Sequence, residues 1–229
     1  MRISRAVAMI MVALLMTAVG CTKQVAGTAE SDPNKPPLSV SEDGYGIVAG
    51  FANAPAKIEI YTEPQCNHCA DLQADFGDEL AYYIAVGQLE VTYRPMTFLD
   101  DTSGGYSSQM SNALFLATEK AGSPEVKATG TEFQRFVEEV WAHQRPGGDP
   151  PTEDELQDMA KKAGMPQPVA QNIKSGGSAV NVKEMDDANF GFLYEIDSID
   201  MGTPTVYDLA NGEKLDIYDN DWLNKLMQS

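Results

Sequence analysis

Apolar residues recur along this chain with two periods, and the segments that carry them alternate. Lys57-Ile58-Glu59-Ile60-Tyr61 alternates polar with apolar as a strand does, and Leu72, Phe76, Leu80 and Ile84 then recur every fourth residue along one helix face. Leu89-Glu90-Val91-Thr92-Tyr93 returns to alternation, so the three segments predict a strand–helix–strand unit, parallel and right-handed. Far downstream, Pro204 to Asp208 reads as a strand and Asn211-Gly212 as a hairpin turn. Lys214 to Tyr218 follows as the return strand, and Asp219 to Gln228 as a closing helix with Trp222, Leu223 and Leu226 on its apolar side. Tyr45 to Phe51 is a candidate leading strand or arm.

Between the two halves the period is helical throughout. Ser107 to Ala121 carries Met110, Ala113, Leu114 and Ala117 on one face, and Gly122 stops it. Phe133, Phe136, Val137, Val140 and Trp141 follow at helical spacing, with His143 at the end, where a histidine suits the negative pole of the helix dipole. Thr152-x-x-Glu155 is a capping box ahead of Leu156, Met159, Ala160 and Ala163, and Gly164 ends that helix. These stripes read as core, and their methionine and tryptophan content requires no cofactor.

Composition narrows the class. The 229 residues suit one domain, and a hydrophobic content of 43% supplies a full core without disulfide staples. A formal charge of −18 argues against nucleic-acid binding through a basic surface and is compatible with a soluble extracytoplasmic protein. An acidic, solvated surface is the plain meaning of that charge.

The chemistry concentrates in Glu63-Pro64-Gln65-Cys66-Asn67-His68-Cys69, between the first strand and its helix. Cys66 at the helix start would lie beside unpaired backbone N–H groups and the positive dipole end, both of which favour thiolate. That makes Cys66 the candidate nucleophile and Cys69, one turn in and more buried, the resolving thiol. Half of a zinc site is the competing reading. It needs about four ligands, and the chain has three cysteines and two histidines in total.

This motif, taken with Gly202-Thr203-Pro204-Thr205-Val206 at the head of a late strand, resembles the DsbA-like thiol–disulfide oxidoreductases of the thioredoxin fold. The resemblance runs from about Lys57 to the C-terminus. It implies an α/β thioredoxin fold, strand–helix–strand then strand–strand–helix, with a helical insertion at about 105–195. It implies further that Pro204 is cis, faces the cysteines and, with Thr203, docks the backbone of an extended substrate. His68 before the second cysteine would stabilise the Cys66 thiolate and make the disulfide more oxidising. Glu63, three residues before Cys66, would oppose this as a nearby negative charge. Two positions depart from the family. Asn67 stands where proline is common, and Ile60 stands where a buried acid helps deprotonate the resolving thiol. Glu59 is adjacent to Ile60, but strand alternation turns it to the other face.

The N-terminal stretch resembles a bacterial lipoprotein signal peptide. Arg2 and Arg5 precede an apolar run from Ala6 to Val19, too short to span a bilayer comfortably, and then Gly20-Cys21. On this reading residues 1–20 are a signal peptide and Cys21 is lipidated. Residues 21–44, rich in Thr, Ser, Pro and Gly, would be a flexible tether, and 45–229 the folded domain.

The sequence thus predicts a lipid-anchored thiol–disulfide oxidoreductase of the cell envelope, without metal or other cofactor. It would act on exported proteins with cysteine pairs and be served by a membrane redox partner. An oxidising compartment favours an oxidase. The alternatives are an envelope reductase, for example in cytochrome c maturation, a metal-binding lipoprotein using Cys66, Cys69 and His143, and a thioredoxin-like binding module with vestigial redox activity.

Overall fold

The computed structural model describes residues 35–100 and 105–228. Cys21, the candidate signal peptide and most of the candidate tether lie outside the described residues.

Six strands form one sheet in the order β1-β2-β4-β3-β5-β6. They are β1 (Leu38–Val40), β2 (Ile47–Ala49), β3 (Ala56–Thr62), β4 (Leu89–Pro95), β5 (Thr205–Asp208) and β6 (Glu213–Lys214). The strand β3, the helix α1 (Asn67–Ala85) and the strand β4 make the expected unit, with β3 and β4 parallel over seven residue pairs from Ala56↔Leu89 to Thr62↔Pro95. β5 runs antiparallel to β3, and the remaining neighbours are antiparallel as well. Parallel strands buried on both faces explain why Ile58, Ile60, Val91 and Tyr93 are fully shielded.

Alternation along β3 divides its side chains between two layers. Ile58 and Ile60 enter the main core with Leu72, Phe76, Leu80 and Ile84 of α1, and the closing helix α7 (Trp222–Gln228) joins it through an edge-to-face contact of Trp222 with Phe76. Glu59 and Tyr61 point the other way. There the Arg94 guanidinium reaches Glu59 at 2.7 Å and Asp43 at 2.8 Å, the Tyr61 hydroxyl donates to Glu59 at 2.6 Å, and the Phe192 ring lies 4.8 Å from the guanidinium carbon. Phe192 belongs to α6 (Val182–Ile196), which covers this face. A charge pair this buried is tolerated because each partner's polar atoms are matched.

Four further helices lie between β4 and α6: α2 (Tyr106–Leu116), α3 (Gly130–Ala142), α4 (Glu153–Lys162) and α5 (Gln167–Ser175). Every apolar residue assigned to a helical stripe in this region is buried. The Thr152–Glu155 capping box forms, and a second one forms at Thr129–Glu132 before α3. His143 caps the C-terminus of α3, its ring against the Glu139 carbonyl at 2.8 Å.

Three boundaries differ from expectation. The sheet begins at Leu38, inside the range read as tether: the Pro37 carbonyl accepts from Gly50 N–H and the Pro36 carbonyl from Gly130 N–H. Gly130 is required at that contact, since a Cβ there would lie 2.9 Å from the Gly50 nitrogen and 3.0 Å from the Pro37 oxygen. The return strand β6 has two residues rather than five, because the chain turns away after Leu215 N–H has bonded to the Val206 carbonyl. The helix expected to run to Ala121 ends at Leu116, and Ala121 instead bridges Val126.

Candidate active site

Cys66 is the N-cap of α1, in extended conformation, and its carbonyl accepts from the N–H groups of Cys69 and Ala70. The sulfur therefore sits over the open end of the helix, where N–H groups have no helical partner. It is half-buried, whereas Cys69 is 1% exposed; both are free thiols. From across the sheet end comes the cis peptide Thr203–Pro204, which brings the Thr203 carbonyl to 3.1 Å from the Cys66 Sγ, a hydrogen bond that the protonated thiol donates. Cys66, Cys69, Thr203 and Pro204 are thus gathered into one site, although 137 residues separate Cys66 from Thr203.

The electrostatics of the two thiols diverge. Cys66 is pulled down to about 5, first by a hydrogen bond from the Cys69 thiol and then by the Thr203 side chain and the backbone N–H groups of Cys69 and His68, against the opposing effect of burial. Cys69 is pushed well up, mainly by burial and then by donating to the Cys66 sulfur. One thiol is therefore a thiolate at neutral pH and its partner is held protonated, the division that a nucleophile and a resolving thiol require.

His68 lies at the rim. Its side chain is 68% exposed and its Nδ1 stands 3.5 Å from Asp71. The group of His68 that reaches the Cys66 sulfur is its backbone N–H. His143, at the end of α3, pairs with Glu139 at 3.6 Å, and among the described residues no three metal-ligating side chains come together.

Glu63 is the residue whose role was missed. Spacing alone makes it a nearby negative charge opposing the thiolate, and makes Ile60 the place where a buried acid is absent. Ile60 is indeed core, but Glu63 is fully shielded and supplies a buried carboxyl three residues before Cys66. It accepts from Gln65 N–H at 2.6 Å and from the Ser107 hydroxyl. Burial raises its pKa to about 7, so near neutrality it is only partly charged and its opposition to the thiolate is muted. Ser107 lies in the first turn of α2, and Gln65 bonds both to Ser107 at 3.0 Å and to Gly147 N–H at 3.0 Å. The helical insertion therefore closes over the acid and holds the turn before Cys66. The available signal was the glutamate's place between a buried strand and a helix N-terminus, where both neighbours leave little room for solvent.

A family model described as Thioredoxin matches residues 42–216. The chain belongs to the thioredoxin family. Its fold resembles the MdbA protein, a thiol-disulfide oxidoreductase from Corynebacterium matruchotii, with a TM-score of 0.67 at 19% identity over 85% of this chain and 92% of that one. It also resembles reduced DsbA from Mycobacterium tuberculosis, with a TM-score of 0.60 at 19% identity over 81% and 92% of the two chains. Among curated proteins it is 26% identical over 188 residues to the serine/threonine-protein kinase PknE of Mycobacterium tuberculosis, matching 80% of this chain and 31% of the kinase. The chain thus spans about a third of the length of the curated relatives it matches. The thioredoxin fold with a helical insertion, expected from the C-x-x-C and Thr-Pro pairs, is the fold found.

Proposed function

We propose that this protein is an extracytoplasmic thiol–disulfide oxidoreductase that oxidises cysteine pairs of exported proteins. The observation that carries the reading is the division between a Cys66 thiolate and a buried, protonated Cys69. In the oxidised protein a client thiolate attacks Cys66 Sγ, the Cys66–Cys69 bond breaks, and Cys69 leaves as a thiolate that takes up a proton. A second client thiolate then attacks the client sulfur of the mixed disulfide, and Cys66 leaves as the stabilised thiolate. Two electrons pass to the protein, and the client gains a disulfide. A membrane redox partner must remove those electrons before the next cycle.

Stabilising the thiolate stabilises the reduced protein, which favours oxidation of clients over their reduction. Glu63, with its pKa near neutrality, is suited to exchange a proton within the buried network beside the cysteines. Thr203 and Pro204 present backbone to an extended client segment next to the sulfur. Anchoring through a lipidated Cys21 would hold the site at the cell envelope.

Trapping of clients tests this directly. In Cys69→Ala the Cys66 thiolate can still attack a client disulfide, releasing one client thiolate, but the thiol that would displace the client from Cys66 is gone, so client adducts should accumulate on Cys66. Cys66→Ala should collect none. Equal trapping by both variants would remove the assignment.

A further inference from the structure

Beside the reactive sulfur a groove of about 340 Å³ opens between α1 and the segment after β6, with Pro204 on its wall and His68 at its rim. Two rows of side chains on α1 line it. Leu72 and Phe76 form an apolar floor, and Asp71 and Asp75 stand alongside, while Ile217 and the 77%-exposed Tyr218 close the other side. No lysine or arginine lines the groove. Among the described residues Asp71 has only the His68 ring, at 3.5 Å, as a basic partner, and Asp75 has none. Asp78, further along the helix and outside the groove, does have one: Arg135 at 3.4 Å.

Like charges four apart on a helix repel and weaken it. Asp71 and Asp75 carry that cost in the free protein, and a cation placed between them would relieve it. The apolar floor excludes a small hydrated ion as the best fit. It suits a side chain with a long hydrocarbon stem and a cationic head, the stem on Leu72 and Phe76 and the head on the carboxylates. A guanidinium can in addition lie against the Tyr218 ring. With a rise of about 1.5 Å per residue, Asp71 lies about 7.5 Å along the axis from Cys66, which a basic side chain one or two residues from the client cysteine can span. The charge of −18 would steer such clients toward the protein.

We infer that this groove is a specificity subsite for an arginine or lysine close to the target cysteine of the client. The inference rests on the redox reading of Cys66, and the test separates the two. Two-cysteine peptides that differ only beside the first cysteine, with arginine, leucine or glutamate, are oxidised by the oxidised protein at low and at high salt. The same peptides with serine for cysteine are titrated separately, so that binding is read without redox chemistry. The arginine peptide should be oxidised about fivefold faster than the leucine peptide and be bound about fivefold more tightly, with glutamate slowest and weakest. The ratio should contract at high salt, and in Asp75→Asn and the Asp71→Asn/Asp75→Asn double variant. Equal rates and affinities across the three peptides, or a ratio untouched by the double variant, would overturn the subsite. An arginine preference among the serine peptides with no oxidation of any cysteine peptide would keep the subsite and remove the redox reading.

Discussion

Removing the Cys69 thiol should loosen the hold on the Cys66 thiolate. That thiol provides the largest of the effects that bring Cys66 down to about 5. A hydrogen bond to a charged group contributes about 1.5–3 kcal/mol, and S–H is a weak donor, so the lower figure applies. About 1.5 kcal/mol corresponds to about one pH unit, which places Cys66 of Cys69→Ala near pH 6. At pH 5 the thiolate fraction would fall from about one half to about one tenth, and alkylation of Cys66 by iodoacetamide would slow about fivefold. At pH 8 both proteins are ionised and their rates should nearly agree. Cys69→Ser keeps an O–H donor in the same place and should stay close to the parent. Thiolate absorbance across the titration gives the pKa independently of alkylation. An unchanged pKa in Cys69→Ala, or equal shifts in the alanine and serine variants, would refute the hydrogen bond as the source.

Glu63→Gln tests the buried acid. Its pKa is raised to about 7 in the folded protein, so its contribution to stability is full below its ordinary value and is lost as pH rises through 7. Urea unfolding of the oxidised protein, where neither cysteine titrates, should show Glu63 lowering stability by up to about 3 kcal/mol between pH 4.5 and 8, and the fall should shrink by that amount in the variant. His68→Ala should move the Cys66 pKa by less than about half a unit, because the backbone N–H at the sulfur is retained; a shift of a full unit would return the tuning to the ring. Cys21→Ala should abolish incorporation of labelled fatty acid and release the protein from the membrane, and continued labelling would remove the anchor.

Much of this site was legible because its signals are local. The alternation over 57–61, the four-residue spacing from Leu72 and the cysteines between them fix a strand, a helix and a helix terminus without reference to the rest of the chain. The hairpin at Asn211-Gly212 and the Thr152 capping box are equally self-contained. What escaped depends on distant partners. Leu38–Val40 carries too few residues to show a period, and its place in the sheet is secured by Gly50 and Gly130. Glu63 reads as a plain negative charge near Cys66 until Ser107, 44 residues on, closes over it. Position in the motif suggests a tuning role for the His68 ring, and the ring turns instead toward Asp71. That choice is one of rotamer and neighbouring charge, which spacing does not encode.

The reduction potential of the Cys66–Cys69 pair tests the central claim most directly. A Cys66 pKa about two units below pH 7 stabilises the reduced protein by about 2.7 kcal/mol, or about 60 mV, over a pair whose thiol is not ionised. Thioredoxin's thiol is about half ionised at that pH, and its potential is about −270 mV. Equilibration with glutathione buffers should therefore give about −220 mV for this protein, about 50 mV more oxidising than thioredoxin. A potential at or below about −270 mV would contradict the account and assign the pair to reduction.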